Sequence, residues 1–375
     1  MTSEQIATAV ADAITSHTAI RGVGSGTWLH GGPVEHDAAA TVVKPQGGVI
    51  EYTPGDLVIS VHAGTTLEEL AEVCAASGQM LAIAPYGSPQ STIGAVVATA
   101  SAAPLSYDDL AIRDLVLGLT VVTGTGSVVR VGGKVVKNVA GFDLVRLNTG
   151  AFGTLGVITE VSLRLHAKPT MDHVVTGTLD VAPAEWVPRV IANRAPLPML
   201  VRMAPGEPAQ LFARCTGNSA RASALRGIVQ SYGVSSAFTL GPSDTNSASD
   251  ATSLVTTMRH VPERSLVLRT RAKLGDGSLL ISAVRSAFPE ATLLYNPARG
   301  SVRLMTAAGA NDDARVTAFA ASVRQQHHAA FSVVVEQGAA VVSEPNRLDL
   351  PVKRAFDPHN IFPRRREHVH AAEAL

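Results

Sequence analysis

The fold of this chain is decided by the stretch Gly150-Ala-Phe-Gly-Thr-Leu-Gly-Val-Ile-Thr-Glu-Val-Ser-Leu-Arg-Leu165. Gly150, Gly153 and Gly156 recur every three residues, and glycines spaced in this way let the backbone approach a flat or anionic group. A β-branched strand, Val157 to Leu165, follows and is apolar enough to hold that backbone still. Chains built this way usually carry a large cofactor, so we expect one wall of a cofactor site here.

Composition limits what the chain can bind. Its 375 residues predict two domains, and its formal net charge of zero argues against nucleic acid or an anionic membrane as the main partner. Cys74 and Cys215 lie far apart and form no CxxC pattern, which predicts no metal site and a reducing compartment. We expect no signal peptide and no integral membrane segment, because the longest apolar run, Ile93 to Ala103, is too short to span a bilayer. The expected location is the cytoplasm, or the surface of the inner membrane through partners.

Apolar periodicity predicts the elements of the first 169 residues. A helix is expected over 4–16 and strands over 49–52 and 57–61. A second helix should begin after Thr66, because Glu69 three residues later completes a capping box. A hairpin is expected at Thr123-Gly-Thr-Gly126.

The middle of the chain repeats one order of elements. The expected strands and helices are strand 174–179, helix 183–193, strands 199–203 and 210–215 and helix 218–232, then strand 266–269, helix 278–288, strands 292–295 and 301–305, helix 312–326 and strand 331–335. We interpret them as two related α+β halves lying side by side. The expected domains are 1–169, 170–343 and a segment 344–375 that docks back on the first domain.

Two further motifs suit a phosphate. In Arg21-Gly-Val-Gly-Ser-Gly-Thr27, consecutive backbone N–H groups can cradle phosphate oxygens. An ordinary turn is an equally good reading of this motif alone, and it is not a Rossmann fingerprint because the third glycine of GxGxxG is absent. In Pro85-Tyr-Gly-Ser-Pro-Gln-Ser-Thr-Ile-Gly94, Ser91 and Thr92 can donate hydroxyls while Gly94 admits a pyrophosphate. The alternative is a loop that feeds a buried, alanine-rich helix.

Taken in order, the three motifs resemble the FAD-binding domain of the vanillyl-alcohol oxidase (PCMH-type) superfamily. Within it, the chain is similar to the FAD-binding E subunits of glycolate oxidase. The similarity covers about 19–169 and returns near 355–362. The segments that carry the narrower resemblance are Glu51–Ser60, Ala63–Leu67, Ser77–Leu81, Arg113–Gly118, Val136–Leu144 and Ala355–Phe362.

The resemblance implies an α+β fold: a PCMH-type two-subdomain FAD-binding domain followed by a ferredoxin-like α+β cap over the isoalloxazine face. It implies FAD held non-covalently, since the superfamily's covalent attachment often uses a histidine within the pyrophosphate loop and 22–27 contain none. The cofactor-binding residues that it implies are Gly22, Val23, Gly24, Ser25, Gly26, Thr27, Pro85, Tyr86, Gly87, Ser91, Thr92, Ile93, Gly94, Gly153, Val157 and Ile158. The family's Thr-Ile-Gly-Gly is Thr92–Ala95 here, which adds a methyl group near the cofactor. The tyrosine of its Gly-Tyr-Asp is Phe142, which removes a hydroxyl.

The resemblance also implies oxidation of a small 2-hydroxy acid, glycolate or D-lactate, or relay of its electrons beside a second flavoprotein subunit and an iron–sulfur subunit. The alternatives are a stand-alone flavin oxidase or dehydrogenase of another alcohol or 2-hydroxy acid, and a flavin-holding structural subunit without turnover. No catalytic base is identified. His30 and His62 are interpreted as surface and structural histidines. The cations that could grip a carboxylate are Arg269, Arg271, Lys273, Arg364 and Arg365, and an exposed basic face is the alternative.

Overall fold

The chain divides into two compact units. The computed structural model describes residues 1–26, 34, 39–83, 88–101, 105, 110–133, 143–193, 198–232, 234–240, 264–327, 332–338 and 349–364. The first unit holds the described residues within Met1–Ala102, Leu110–Lys168 and Val342–Leu375. The second holds those within Ala103–Asp109 and Pro169–Val341. The last described segment, 349–364, therefore belongs to the first unit.

The first unit is built on a five-stranded antiparallel sheet. Its elements, up to the start of the second unit, are α1 (Ser3–Ser16), β1 (Ile20–Gly22), β2 (Thr41–Val43), β3 (Val49–Thr53), β4 (Val58–His62), α2 (Leu67–Ala75), β5 (Gln79–Met80), α3 (Ile93–Thr99), α4 (Ile112–Leu115), β6 (Val116–Val122), β7 (Val128–Gly132), α5 (Leu144–Asn148), β8 (Val157–Arg164) and β9 (His166–Ala167). The sheet order is β3-β4-β8-β6-β7, and all neighbours are antiparallel. β1 pairs with β2 in parallel, and β5 pairs with β9.

Local chemistry explains the predicted elements of this unit. The side chain of Thr66 accepts from the amide of Glu69 at 3.1 Å, and the Glu69 carboxylate accepts from the amide of Thr66 at 2.9 Å. The predicted capping box is therefore confirmed, and it fixes the start of α2. In α1, Ile6 and Val10 are fully buried, which gives the predicted helix its inner face. The hairpin predicted at 123–126 joins β6 to β7.

The second unit carries one eight-stranded sheet. Its elements are β10 (Met171–Leu179), α6 (Pro183–Asn193), β11 (Met199–Met203), β12 (Ala209–Gly217), α7 (Ser219–Ser231), β13 (Val234–Leu240), β14 (Ser265–Arg271), α8 (Gly277–Ala287), β15 (Thr292–Asn296), β16 (Ser301–Ala307), α9 (Asp312–His327) and β17 (Ser332–Gln337). The strand order is β13-β10-β12-β11-β15-β16-β14-β17. Each half is a βαββαβ unit with the ferredoxin-like order, so the prediction of two related halves is confirmed.

The two halves join through equivalent strands. β11 of the first half pairs with β15 of the second in antiparallel register, with Val201 opposite Tyr295 and Arg202 opposite Leu294. β13, which the sequence patterns did not predict, completes the first half at one edge of the sheet. The mixed α+β fold class is confirmed.

Each unit has its own core. In the second unit the helices cover one sheet face around Trp186 and Tyr295, whose rings meet edge to face at 5.6 Å between centroids. An ion pair on the same sheet joins the Arg303 Nε to the Glu336 carboxylate at 2.6 Å, with Arg269 3.5 Å from the other carboxylate oxygen.

The last described segment forms α10 (Asp349–Phe356) and then extends to 364. Ile361 and Phe362 are buried in the core of the first unit with Ile6, Val10 and Val157. The amide of Ile20 donates to the carbonyl of Ile361 at 2.8 Å. Within the described residues, no helix has the length and apolarity needed to cross a membrane, and no cluster of His, Cys, Asp and Glu side chains could hold a metal ion.

Candidate functional site

A cavity in the first unit lies where three segments distant in sequence meet. Its volume is about 70 Å³, well below the roughly 300–1,000 Å³ of pockets that enclose a whole drug-sized ligand. It could therefore enclose only a part of a cofactor-sized ligand. The residues that line it are Gly22, Val23, Gly24, Pro45, Ala63, Thr92, Gly94, Ala95, Ala98, Gly153, Gly156, Val157 and Ile158.

The first wall is the end of β1 and the glycine loop after it. The amide of Val23 still donates to the carbonyl of Val43, at 2.9 Å. Beyond it, no described residue accepts a hydrogen bond from the amides of Gly24, Ser25 or Gly26. Gly26 has φ +80°, a conformation that glycine adopts without strain. Successive backbone N–H groups without a described acceptor are typical of loops that bind an anion.

The second wall begins at Thr92 and continues into α3. A Cβ atom on Gly24 would stand 3.0 Å from Cγ2 of Thr92 and closer still to its hydroxyl. The hydroxyl of Ser25 donates to the carbonyl of Gln90. The glycine loop and the segment before α3 therefore form one continuous surface.

The backbone donors of the second wall are mostly occupied. The amide of Ser91 donates to Ser88 at 2.9 Å, that of Ile93 to Thr65 at 2.8 Å and that of Gly94 to Ala63 at 2.8 Å. The sequence led us to expect that the backbone of 91–94 holds one side of a pyrophosphate. In the structure these bonds leave the amide and the hydroxyl of Thr92 for that task.

The third wall is the loop from Gly150 to Gly156. The amides of Gly150 and Phe152 donate to the carbonyls of Val97 and Ala98, at 3.0 and 2.7 Å, which ties the loop to α3. Phe152 and Gly153 both have positive φ, +55° and +72°. A Cβ atom on Gly153 would meet nothing within 4 Å. The backbone at Gly153 is thus open to the cavity.

The floor is the beginning of β8. Ile158 and Val157 pair with Val121 and Val122 of β6 on one side. On the other side, β4 pairs with β8 only from Glu160 to Arg164. Among the described strands none pairs with that edge of Val157 and Ile158, so their backbone groups there can bind a ligand.

The structure brings together half of the sixteen cofactor-binding residues that the sequence singled out. Those that line the cavity are Gly22, Val23, Gly24, Thr92, Gly94, Gly153, Val157 and Ile158. Ser25, Gly26, Ser91 and Ile93 flank it without lining it. Thr27, Pro85, Tyr86 and Gly87 lie outside the described residues, as do His30, Phe142 and Arg365. Sequence reasoning placed Gly156 in a wall of the site and Ala95 near the cofactor, and both line the cavity. It missed Pro45, Ala63 and Ala98 as lining residues. Ala63 and Ala98 belong to segments that were quoted for other reasons, and Pro45 carries no signal.

Four of the candidate acid–base and cationic side chains have structural partners among the described residues. The side-chain amide of Gln46 lies 2.9 Å from Nε2 of His62, at the end of β4. Arg269 pairs with Glu336, and Nε of Arg271 donates to the carbonyl of Arg299 at 3.2 Å. Nε of Arg364 donates to Asn360 at 2.9 Å. Lys273 is exposed.

None of the described residues that line the cavity is ionisable. The cavity is lined by small side chains, glycines and backbone donors without a described acceptor, which suits the binding of a flat or anionic group. These residues offer no side chain for proton transfer. The geometry is that of a cradle for a bound cofactor.

Residues 1–132 match the family model of an FAD binding domain. This part of the chain is similar to an FAD binding domain. The glycine loop and the Thr92 segment, which form two walls of the cavity, lie within the matched residues. FAD, the cofactor that the family model names, thus fits the backbone and hydroxyl donors and the glycine residues of the cavity.

Three curated relatives share similarity with this chain. The "Glycolate oxidase subunit GlcE" of Escherichia coli (strain K12) is 41% identical over 129 residues, 34% of this chain and 37% of the relative. The "Glycolate oxidase subunit GlcD" of Bacillus subtilis (strain 168) is 33% identical over 39% of this chain and 31% of the relative. A "D-lactate dehydrogenase" of Archaeoglobus fulgidus is 30% identical over 42% and 38%. The matches thus span between about a third and two fifths of each relative.

The fold extends this likeness beyond the FAD binding domain. A solved structure of alkyldihydroxyacetonephosphate synthase matches 96% of this chain and 74% of its own, with a TM-score of 0.65 and 14% sequence identity. At that identity the likeness concerns the fold alone. It agrees with the α+β fold class that the sequence resemblance implied.

Proposed function

We propose that this chain is an FAD-binding oxidoreductase subunit of glycolate-oxidase type. It would oxidise a small 2-hydroxy acid, glycolate or D-lactate, or relay the electrons of that oxidation. The observation that carries the proposal is the cavity. The glycine loop, Thr92, Gly153 and the open edge of β8 line it, and the first two of these lie within the residues that match the FAD binding domain. The similarity to GlcE supports the glycolate-oxidase type.

The residues present would hold FAD without a covalent bond. The amides of Gly24, Ser25 and Gly26 and the hydroxyl of Thr92 would take the diphosphate, and the backbone at Val157 and Ile158 would take an uncharged, flat part of the cofactor. The chemistry supplied by FAD is the acceptance of two electrons from the carbon that is oxidised. Acid precipitation of the loaded protein should leave all the flavin in the supernatant, and a yellow pellet would overturn the non-covalent assignment.

Partners are part of the same proposal. A second flavoprotein subunit and an iron–sulfur subunit would accompany this chain, as its similarity to subunits GlcE and GlcD supports. Tagging the chain in native cells and identifying what co-purifies tests this directly. Isolation of the chain by itself in fully active form would favour a stand-alone oxidase or dehydrogenase.

A catalytically silent, flavin-holding subunit is the second candidate. It is favoured by the lining of the cavity, which among the described residues contains no ionisable side chain. Flavin oxidation of a hydroxy acid needs a base for the hydroxyl proton. Anaerobic mixing of the FAD-loaded chain with glycolate or D-lactate separates the two candidates. Bleaching of the flavin band supports catalysis, and an unchanged band supports the silent subunit. Failure to bind FAD at all would sink both.

A further inference from the structure

A buried ion pair lies next to the proposed cofactor cavity, on the segment that returns from the second unit. The ammonium of Lys353 in α10 is 2.5 Å from Oδ2 of Asp357. The two side chains are 7% and 0% exposed. Charged side chains are almost never so deeply buried unless their partners are in place.

The pair is saturated by backbone groups that surround it. Asp357 accepts from the amides of Ile361 and Phe362, at 3.0 and 2.9 Å. Lys353 donates to the carbonyl of Phe362 at 3.2 Å as well as to Asp357. The segment from Lys353 to Phe362 is therefore held together by its own hydrogen bonds.

One hydrogen bond of Lys353 connects this segment to the third wall of the cavity. Nζ of Lys353 donates to the carbonyl of Thr154 at 2.8 Å. Thr154 lies within the loop Gly150–Gly156, between Gly153 and Gly156, both of which line the cavity. The charge of the ammonium makes this bond stronger than one between neutral groups.

The loop needs such an anchor. Phe152 and Gly153 hold positive φ in succession, and positive φ at a non-glycine residue is strained. On the α3 side the loop is fixed by the amides of Gly150 and Phe152. On the other side, between Gly153 and the start of β8, Gly156 packs against Val121 and Val122, and the described hydrogen bond from outside the loop is the one from Lys353.

We propose that Lys353 is a positioning residue for the cofactor: by holding the Thr154 carbonyl, it fixes the loop Gly150–Gly156 as the third wall of the cavity. Asp357 keeps the ammonium in place. The inference rests on the proposed FAD binding. It gives the C-terminal segment a part in holding the cofactor, although no described residue of that segment lines the cavity.

The test compares FAD affinity with stability in two variants. Lys353→Met removes the ammonium but keeps the length of the side chain. The control is Glu336→Gln, which weakens the buried ion pair with Arg303 in the second unit. FAD binding is titrated by flavin fluorescence, and thermal unfolding of the FAD-free proteins is measured alongside. We expect Lys353→Met to weaken FAD binding by about tenfold, which corresponds to about 1.4 kcal/mol, and Glu336→Gln to leave it within about twofold even where both variants lose stability.

An FAD affinity of Lys353→Met equal to that of wild type would overturn the inference, whereas a wild-type protein that binds no FAD would overturn the proposed function instead. If Lys353→Met does not fold, hydrogen exchange of the wild-type protein decides. The amides of Phe152 and Thr154 should then be no better protected than those of Ile361 and Phe362, because release of the C-terminal segment would release the loop. Loop amides that stay protected while the C-terminal amides exchange would contradict the proposal.

Discussion

Gly24 and Thr92 lie so close together that a Cβ atom on Gly24 would be 3.0 Å from Cγ2 and 3.1 Å from Cβ of Thr92. Two segments nearly seventy positions apart in the sequence thus touch at position 24, where only glycine allows so close a contact. The contact joins the first and second walls of the cavity, and the donors of both walls surround it. Any side chain at position 24 must push these walls apart.

Gly24→Ala should therefore weaken FAD binding, by roughly ten- to a hundredfold, since a shift of about 1 Å in a binding group can have an effect of that size. Titration of the FAD-free protein with FAD measures the change. The matched control is Gly227→Ala in α7, where a Cβ atom meets nothing within 4 Å. It should leave FAD binding unchanged, and an equal loss in both variants would rule out the steric explanation.

Thr92→Ala should partly rescue Gly24→Ala. It removes Oγ1 and Cγ2, the two Thr92 atoms nearest to the added methyl group, but leaves its Cβ in a tight position. By itself Thr92→Ala should weaken binding, because the hydroxyl is one of the donors left to the cofactor. The double-mutant cycle for FAD affinity should therefore be non-additive. Strictly additive losses would show that the two residues do not interact in the way that the structure indicates.

Gly94→Ala should reduce stability as well as FAD affinity. Its Cβ would stand 2.7 Å from Cβ and 2.9 Å from the carbonyl oxygen of Ala63, and backbone atoms cannot swing aside as a side chain can. Overpacking of this kind typically lowers the free energy of unfolding by about 1–3 kcal/mol. Urea unfolding of the FAD-free protein measures it. Unchanged stability would mean that β4 and α3 are less tightly joined than described.

Cys74 should be unreactive in the folded protein. Burial raises the pKa of its thiol to about 11, so very little thiolate is present at neutral pH. In a Cys215→Ser background it is the sole thiol, and a thiol-specific reagent should label it only after denaturant is added. Rapid labelling of the native protein would contradict the burial of α2 against its sheet.

Acid should weaken the second unit through Glu336. Burial by itself would raise the pKa of Glu336, but Arg303 and Arg269 outweigh it and hold the pKa below its ordinary value. A carboxylate with a lowered folded pKa contributes stability above its unfolded pKa and loses that contribution as the pH falls through the folded pKa. Unfolding followed by Trp186 fluorescence in a Trp28→Phe background should therefore show a stronger acid dependence than in the same background with Glu336→Gln. Parallel curves would count against the ion pair.

Much of the fold followed from local patterns. Thr66 and Glu69 predicted the start of α2, and the periodicity of 199–203 and 312–326 placed β11 and α9 within a residue. Each of these signals lies within one helix or strand, so it can be recognised from the sequence of that element alone. β13 was missed, because Ser235 and Ser236 break its apolar pattern and pairing with β10 is what makes it a strand.

The candidate site was only partly predictable for a related reason. Glycine motifs mark where the backbone can approach a ligand, and they led to Gly24, Gly94 and Gly153. Pro45 and Ala63 carry no such signal, since they reach the cavity only because β2 pairs with β1 and β4 with β8. The Lys353 bond to Thr154 spans 199 residues, and nothing in the spacing of the sequence indicates it.

The seam between β11 and β15 has a consequence for how the second unit holds together. Equivalent strands of two similar halves meet there in antiparallel register, around Arg202 and Leu294, which is the arrangement found across the two-fold axis of an isologous dimer. The second unit is thus pseudo-dimeric within a single polypeptide. The association of the two halves does not depend on protein concentration, and each half is free to change its sequence independently of the other.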